Sequence, residues 1–207
     1  QGYKVGYLPN PLPIENLHYR LPQRAKVKLL WVRAFSPIYN PCLAVRVLNE
    51  ILRTRPGSTL TMVGPDKGEL SKVKALIVEL GLQEAASIVG PVANDQLYGY
   101  FHSHSVYLNT TSYESFGVAV MEAAACGVPI VSTPAGEIPL LWKDEKEILI
   151  TPDWSAESMA KAVIRILEDQ ELAVKLSENA RKKAERFDWD VVKKIWLDTL
   201  NNIVVAS

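Results

Sequence analysis

The chain has 207 residues, of which 48% are apolar, and 23 Lys and Arg residues balance 23 Asp and Glu residues. This composition supports a globular chain of one or two domains. It excludes a generic nucleic-acid binder, because the chain has no net positive charge to attract a polyanion. No uninterrupted apolar run approaches the length of a membrane-crossing helix, so no membrane span is expected.

The first part of the chain is predicted to be a linker. Residues 1–24 hold several prolines, which interrupt regular structure: Pro9, Pro11, Pro13 and Pro22. They are expected to lead into one domain over residues 25–205. Gln1 stands where an initiating methionine is usual, which indicates an excised piece of a longer protein, and no signal peptide is visible.

Short apolar runs then alternate with helical patterns. The runs are typical of strands buried on both faces, over residues 28–32, 58–63, 87–89, 106–108, 129–131 and 148–150. Caps and breakers predict helices over residues 40–54, 66–81, 94–100, 118–126, 156–168, 170–186 and 189–202. Such alternation predicts an α/β fold, a Rossmann-like doubly wound parallel sheet of about six strands followed by C-terminal helices. Ligands of such sheets bind outside the carboxyl ends of the strands.

The cysteines and histidines do not indicate a metal site. Cys42 and Cys126 both fall in helical patterns without ligand spacing, which favours free thiols in a reducing, cytoplasmic compartment over a disulfide. His102 and His104 precede the fourth strand, away from the carboxyl edge, and are interpreted as structural.

Glu114 and Glu122 bracket the most informative segment. Residues 118–126 carry no charge besides Glu122, and a helix that is apolar nearly all round is normally buried. Its carboxylate must therefore find a partner or face a ligand. The free amides of Ser115, Phe116 and Gly117 would favour anions or hydroxyl oxygens at the helix start. The alternative is a Glu122 bonded to the backbone and a solvated Glu114, and spacing does not separate the two.

The same segment resembles a known signature. Residues 113–117, together with Met121-Glu122-Ala123 and residues 126–129, closely resemble the motif of retaining glycosyltransferases with the GT-B fold. The similarity covers roughly residues 27–200 and includes Phe187-Asp188-Trp189 as the aromatic turn near the end. It implies the C-terminal, donor-binding half of a hexosyltransferase that needs a missing N-terminal domain of the same parent chain. The isolated chain is then expected to be inactive.

The resemblance also implies roles for residues. Glu122 would accept both ribose hydroxyls of a nucleotide-diphospho-sugar, and Glu114 would bind the sugar and stabilise positive charge at the anomeric carbon. Arg33 would grip the diphosphate, although a solvated strand-end arginine is the alternative. Further contacts are expected from Ser115, from the amides of Phe116, Gly117 and Val118, from Asn40, and from the turn containing Val92. The nucleotide sugar is a substrate, and no metal or other cofactor is implied. Any membrane contact would be peripheral, through the missing half.

Several positions depart from the family pattern. Val32 stands where a glycine usually precedes Arg33, and Tyr39-Asn40-Pro41 occupies the region of a phosphate-binding lysine. Asn40 donates hydrogen bonds without charge, and Lys67 could compensate from the neighbouring loop. Leu140 stands where a glutamate is common. These departures leave open a degenerate, non-catalytic nucleotide- or sugar-binding module with an assembly or regulatory role. An epimerase or phosphorylase on the same scaffold fits the glutamate pair less well.

Overall fold

The computed structural model describes residues 8–22 and 27–205. Residues 1–7, in the predicted linker, lie outside the described residues. So do residues 23–26, at the boundary between the linker and the domain. The strands are β1 (Lys28–Val32), β2 (Thr59–Val63), β3 (Ala86–Gly90), β4 (Val106–Asn109), β5 (Ile130–Ser132) and β6 (Leu149–Ile150). The helices are α1 (Pro41–Leu52), α2 (Leu70–Glu79), α3 (Asn94–Ser103), α4 (Val118–Cys126), α5 (Ile138–Leu141), α6 (Ala156–Glu168), α7 (Gln170–Ala184) and α8 (Trp189–Val205).

The predicted Rossmann-like sheet is confirmed. All six strands are parallel, in the order β3-β2-β1-β4-β5-β6. Successive side chains of β1 enter opposite faces, so Trp31 lies in a core with α1, α2 and α6, whereas Leu30 lies in a core with α3 and α4. The chain winds outward from β1 in one direction and from β4 in the other. The two central strands therefore form a topological switch point.

Two predicted elements differ in detail. The third strand was predicted to be buried on both faces, but β3 alternates between half-buried and exposed residues and Val89 is 41% exposed. The reason is its position, because an edge strand has one neighbour only. The second helix begins at Leu70 instead of Asp66, whose Oδ1 accepts from the amides of Gly68 and Leu70 at 2.8 and 3.3 Å. Asp66 therefore closes a turn before the helix.

The described part of the leading segment lies along the domain. Leu12 and Leu17 are buried in the core that contains α4, and the Leu12 amide donates to the Phe187 carbonyl at 2.7 Å. Arg181 on α7 donates from Nη1 to the carbonyls of Leu17 and Ala125, each at 2.6 Å. Residues 8–22 are thus fixed by backbone and core contacts.

Helix α7 also holds the turn before β6. Lys183 lies 2.6 Å from the Glu147 carboxylate, in a pair whose side chains are 12% and 13% exposed. The Lys183 ammonium also donates to the Leu141 carbonyl and lies 5.2 Å from the centre of the Trp142 ring. Both partners are consequently well satisfied by the protein itself. No helix among residues 8–22 and 27–205 is long and apolar enough to cross a membrane.

Candidate functional site

The candidate site lies where the sheet changes direction. Arg33 follows β1 directly, and Glu114 lies in the loop after β4, the strand beside β1. Because both strands end at the carboxyl edge, the two loops meet there. The Tyr107 hydroxyl of β4 donates to the Val32 carbonyl at 3.2 Å and so links β4 to the end of β1. Burial raises the pKa of Tyr107 to about 12. The switch point therefore brings two distant segments to one place.

Arg33 and Glu114 form an ion pair. Nη2 of Arg33 donates to Oε2 of Glu114 at 2.7 Å, and the two side chains are 10% and 11% exposed. Neither is the solvated side chain that the alternative interpretations described. Gly64, at the end of β2, lies so close that a Cβ there would meet the Arg33 carbonyl oxygen at 1.8 Å. The backbone at Arg33 is thus fixed by close packing as well as by the sheet.

Gly136 fixes the backbone at Glu114. It has a φ of +53°, and a Cβ on it would lie 2.1 Å from the Glu114 carbonyl oxygen. The next amide, that of Glu137, donates to the same oxygen at 2.8 Å. The loop after β5 therefore sets the position of Glu114 through its main chain. Gly136 follows β5 at the carboxyl edge, and the sequence alone does not reveal its contact with Glu114.

Glu122 is the exception in α4. Every other residue of the helix after Val118 is buried, whereas Glu122 is half-buried and accepts no hydrogen bond from the described part of the chain. The expected alternative, a carboxylate bonded to the backbone, is not what the structure has. Burial raises the pKa of Glu122 from 4.5 to about 6, and the nearby Arg33 charge opposes that rise. A partly open, unpartnered carboxylate thus lies within the electrostatic reach of Arg33.

The start of α4 presents free amides. Gly117 caps the helix in the left-handed region at a φ of +79°, a conformation that glycine adopts without strain. Within the described residues, the amides of positions 115–118 have no acceptor. Ser115 and Val118 are exposed, whereas Phe116 is buried against Phe187 with ring centres 5.3 Å apart. Phe116 can therefore offer its main chain but not its ring.

The remaining predicted contacts lie at the same edge of the sheet. Asn40 precedes α1 in the left-handed region with a φ of 45°, and its side chain caps nothing in the described chain. Val92 follows β3 and packs half-buried against the core that contains α4. Lys67 is exposed after β2, and its amide donates to the Phe35 carbonyl at 3.0 Å. All three lie in loops at the carboxyl ends of the strands.

Sequence reasoning missed a contact of Tyr39. The Arg33 guanidinium carbon lies 5.5 Å from the centre of the Tyr39 ring, within the range of a cation–π interaction. The signal in the sequence was an aromatic residue in the region where a lysine was expected.

The histidines lie elsewhere. His104 interacts through Nε2 with the Thr61 hydroxyl at 2.8 Å and through Nδ1 with the Tyr100 carbonyl at 2.6 Å, near the amino ends of the strands. Burial lowers its pKa. No three His, Cys, Asp or Glu side chains of the described residues cluster as a metal site would require.

Comparison with known proteins identifies a family and a relative. The family model described as glycosyl transferases group 1 matches residues 19–183. A D-inositol 3-phosphate glycosyltransferase of Saccharomonospora viridis is 28% identical over 188 residues, which are 87% of this chain and 44% of that protein. The chain thus spans less than half the length of this relative.

Two solved structures share the fold. A sucrose-phosphate synthase from Thermosynechococcus elongatus matches with a TM-score of 0.84 at 23% identity, over 97% of this chain and 53% of that one. HepE of Anabaena, solved in complex with UDP, matches with a TM-score of 0.76 at 21% identity, over 86% of this chain and 49% of that one.

Proposed function

The chain belongs to the group 1 glycosyl transferases, and from that premise we propose that it is the donor-binding half of a retaining hexosyltransferase. Its donor is a nucleotide-diphospho-sugar, held at the carboxyl edge between β1 and β4. HepE, which shares the fold, was solved with UDP, and this supports a nucleotide ligand. The carboxyl edge is where parallel sheets of this type bind their ligands.

The unpartnered carboxylate of Glu122 carries the proposal. A half-buried carboxylate without a hydrogen bond is unfavourable, and its raised pKa is the signature of that cost. The two hydroxyls of a ribose are donors of the right kind, because a carboxylate has two oxygens that accept hydrogen bonds. The ribose hydroxyls of the nucleotide would therefore give the Glu122 carboxylate the hydrogen-bond donors that the described residues do not provide.

Arg33 and Glu114 would change partners when the donor binds. The diphosphate is a stronger and bidentate acceptor for the guanidinium, so it would take the place of the Glu114 carboxylate. Glu114 would then be free to bind sugar hydroxyls and to stabilise positive charge at the anomeric carbon. Arg33 and the free amides at the start of α4 would stabilise the leaving diphosphate, and the proposed scheme uses no metal.

Transfer itself is proposed for a longer parent protein. The chain spans 44% of the S. viridis relative, and the acceptor would bind in a cleft shared with an N-terminal domain. The chain alone would bind donor without turning it over. Free thiols at Cys42 and Cys126 support a reducing, cytoplasmic setting for that parent, with any membrane contact made by the other domain.

Calorimetry with a panel of nucleoside diphosphates tests the site. We expect weak but measurable binding of one of them, and weaker binding after either Glu122→Ala or Arg33→Ala. Arg55→Ala and Glu168→Ala are matched controls, because this exposed Arg–Glu pair lies near the amino ends of the strands. Equal affinity in the wild type and in both site variants would defeat the assignment.

One observation favours a second candidate, the non-catalytic binding module. Among the described residues, Arg33 is the one cation in direct contact with Glu114, and the side chain of Lys67, in the loop after β2, is exposed and pairs with none of them. A phosphate grip with one cation is weaker than one with two. Absence of transfer and hydrolysis by the full parent across a panel of sugar nucleotides would favour that module.

A further inference from the structure

We propose that Tyr39 is a positioning residue for Arg33. Its ring holds the guanidinium at the carboxyl edge so that the N–H groups stay available for the donor diphosphate. This inference rests on the proposed function for the identity of the ligand, but the contact between the two side chains exists without any ligand.

The guanidinium of Arg33 has few other supports. Nη2 donates to Glu114 at 2.7 Å, and Nε is buried with no partner in the described chain. The Tyr39 ring lies 5.5 Å from the guanidinium carbon, and Tyr107 is a further electrostatic neighbour of the same group. Glu114 and Tyr39 are thus two side chains that bear directly on the orientation of the guanidinium, one by a hydrogen bond and one by its ring face.

The main chain that carries Tyr39 is itself anchored. The Tyr39 carbonyl accepts from the Thr110 hydroxyl at 2.8 Å, and that hydroxyl accepts from the Trp31 indole N–H at 2.8 Å. Trp31 is fully buried in β1, and Thr110 directly follows β4. The Ser112 amide also donates to the Ile38 carbonyl at 2.8 Å. The turn that carries Tyr39 is thus tied to both strands of the switch point.

An aromatic support suits the proposed exchange of partners. When Glu114 turns to the sugar, Arg33 loses its carboxylate, and Tyr39 remains as the support for the guanidinium. A cation–π contact attracts the charge without occupying an N–H donor or neutralising the cation. A second carboxylate in place of the ring would occupy N–H donors and neutralise the cation, and so would compete with the diphosphate. Tyr39 thereby leaves the outer N–H donors of Arg33 free for the diphosphate.

Binding measurements test the effect on the ligand. Tyr39→Leu is expected to weaken the nucleoside diphosphate found by the panel by about three- to tenfold, whereas Tyr39→Phe, which keeps the aromatic face, stays within about twofold. Ile38→Ala is the matched control, because Ile38 is 41% exposed beside Tyr39 and an alanine keeps the main-chain carbonyl that accepts from the Ser112 amide. Made in the Arg33→Ala background, Tyr39→Leu should cost nothing further. Equal losses in both backgrounds would overturn the positioning role.

A second readout needs no ligand. The Nε–Hε resonance of Arg33, assigned by its disappearance in Arg33→Lys, is expected to show a ring-current shift in the wild type and in Tyr39→Phe. Tyr39→Leu should remove the shift and speed exchange of this proton with water. An unchanged resonance in Tyr39→Leu would overturn the inference while the donor site still stands. If no diphosphate binds the wild type, the proposed function fails, and this resonance still decides whether Tyr39 positions Arg33.

Discussion

Two ion pairs of nearly equal geometry lie in different parts of this molecule. Lys183 and Glu147 are 2.6 Å apart with side chains 12% and 13% exposed, and Arg33 and Glu114 are 2.7 Å apart with side chains 10% and 11% exposed. The N···O distance and the burial of the side chains therefore do not distinguish the two pairs, but the other contacts of their atoms do.

The pair under α7 is closed. Lys183 also donates to the Leu141 carbonyl, and Glu147 accepts from the Lys143 amide at 2.8 Å. At the carboxyl edge, in contrast, Nε of Arg33 is itself buried with no partner among the described residues, and the half-buried Glu122 carboxylate nearby accepts no hydrogen bond from them. The indole N–H of Trp142, beside Lys183, is also buried without a partner in that part of the chain, but it belongs to neither charged side chain. A pair whose charged groups have further protein partners serves stability, whereas an unsatisfied guanidinium N–H next to a partly open carboxylate marks a place for a ligand.

The largest effect is expected from a substitution that breaks the Lys183–Glu147 pair. Lys183→Met should lower the free energy of unfolding by about 3–5 kcal/mol, because the largely buried Glu147 carboxylate would lose its cation and the Leu141 carbonyl would lose the ammonium donor. Urea denaturation measures this change, and affinity for nucleoside diphosphates should stay the same. A loss below about 1 kcal/mol would show that the two pairs do not differ in the way proposed.

Gly136→Ala should act on both stability and binding. A Cβ 2.1 Å from the Glu114 carbonyl, added to the cost of a φ of +53°, is expected to destabilise the protein by about 2–4 kcal/mol and to weaken donor binding by displacing Glu114. Gly99→Ala is the control, since a Cβ there meets nothing within 4 Å inside α3, and it should be neutral or stabilising. Equal melting temperatures of the two variants would contradict the close packing at Glu114.

Arg33→Met provides the direct counterpart of Lys183→Met. It should weaken the nucleoside diphosphate by about 10- to 100-fold, which is the range of a charge-assisted hydrogen bond. Its cost in unfolding free energy should be smaller than that of Lys183→Met, because removal of an Nε that no described residue satisfies offsets part of the cost of leaving the Glu114 carboxylate without its cation. Calorimetry and urea denaturation of the same samples separate the two effects. The comparison would break down if Arg33→Met cost as much stability as Lys183→Met.

The smallest expected effect depends on pH. The pKa of Glu122 rises from 4.5 to about 6 on folding, so its protonated form stabilises the fold fully below pH 4.5, and this contribution of up to about 2 kcal/mol is lost as the pH rises through 6. Glu122→Gln should remove that dependence and leave the variant relatively more stable above pH 6. Donor binding should show the opposite trend, weakening below pH 6 as the carboxylate is protonated. A flat difference in unfolding free energy between the two proteins from pH 4 to 7.5 would refute the prediction.

The sequence by itself determined the α/β architecture and identified Glu122 as a candidate site residue. Strand runs, helix caps and their alternation are local, so the α/β fold followed from segments such as Lys28–Val32 and Val118–Cys126. The lone charge of Glu122 on an apolar helix was equally visible. A local signal also misled, because Asp66 looks like a helix start, and in the structure its side chain closes a turn before Leu70.

Only the tertiary structure decided which distant residues meet. Arg33 and Glu114 are 81 residues apart, and they pair because the sheet places β1 beside β4. The same order made β3 an edge strand and brought Tyr39 to Arg33 through a turn anchored on both central strands. Strand order depends on how crossovers pack across the whole sheet. No short stretch of sequence encodes that packing.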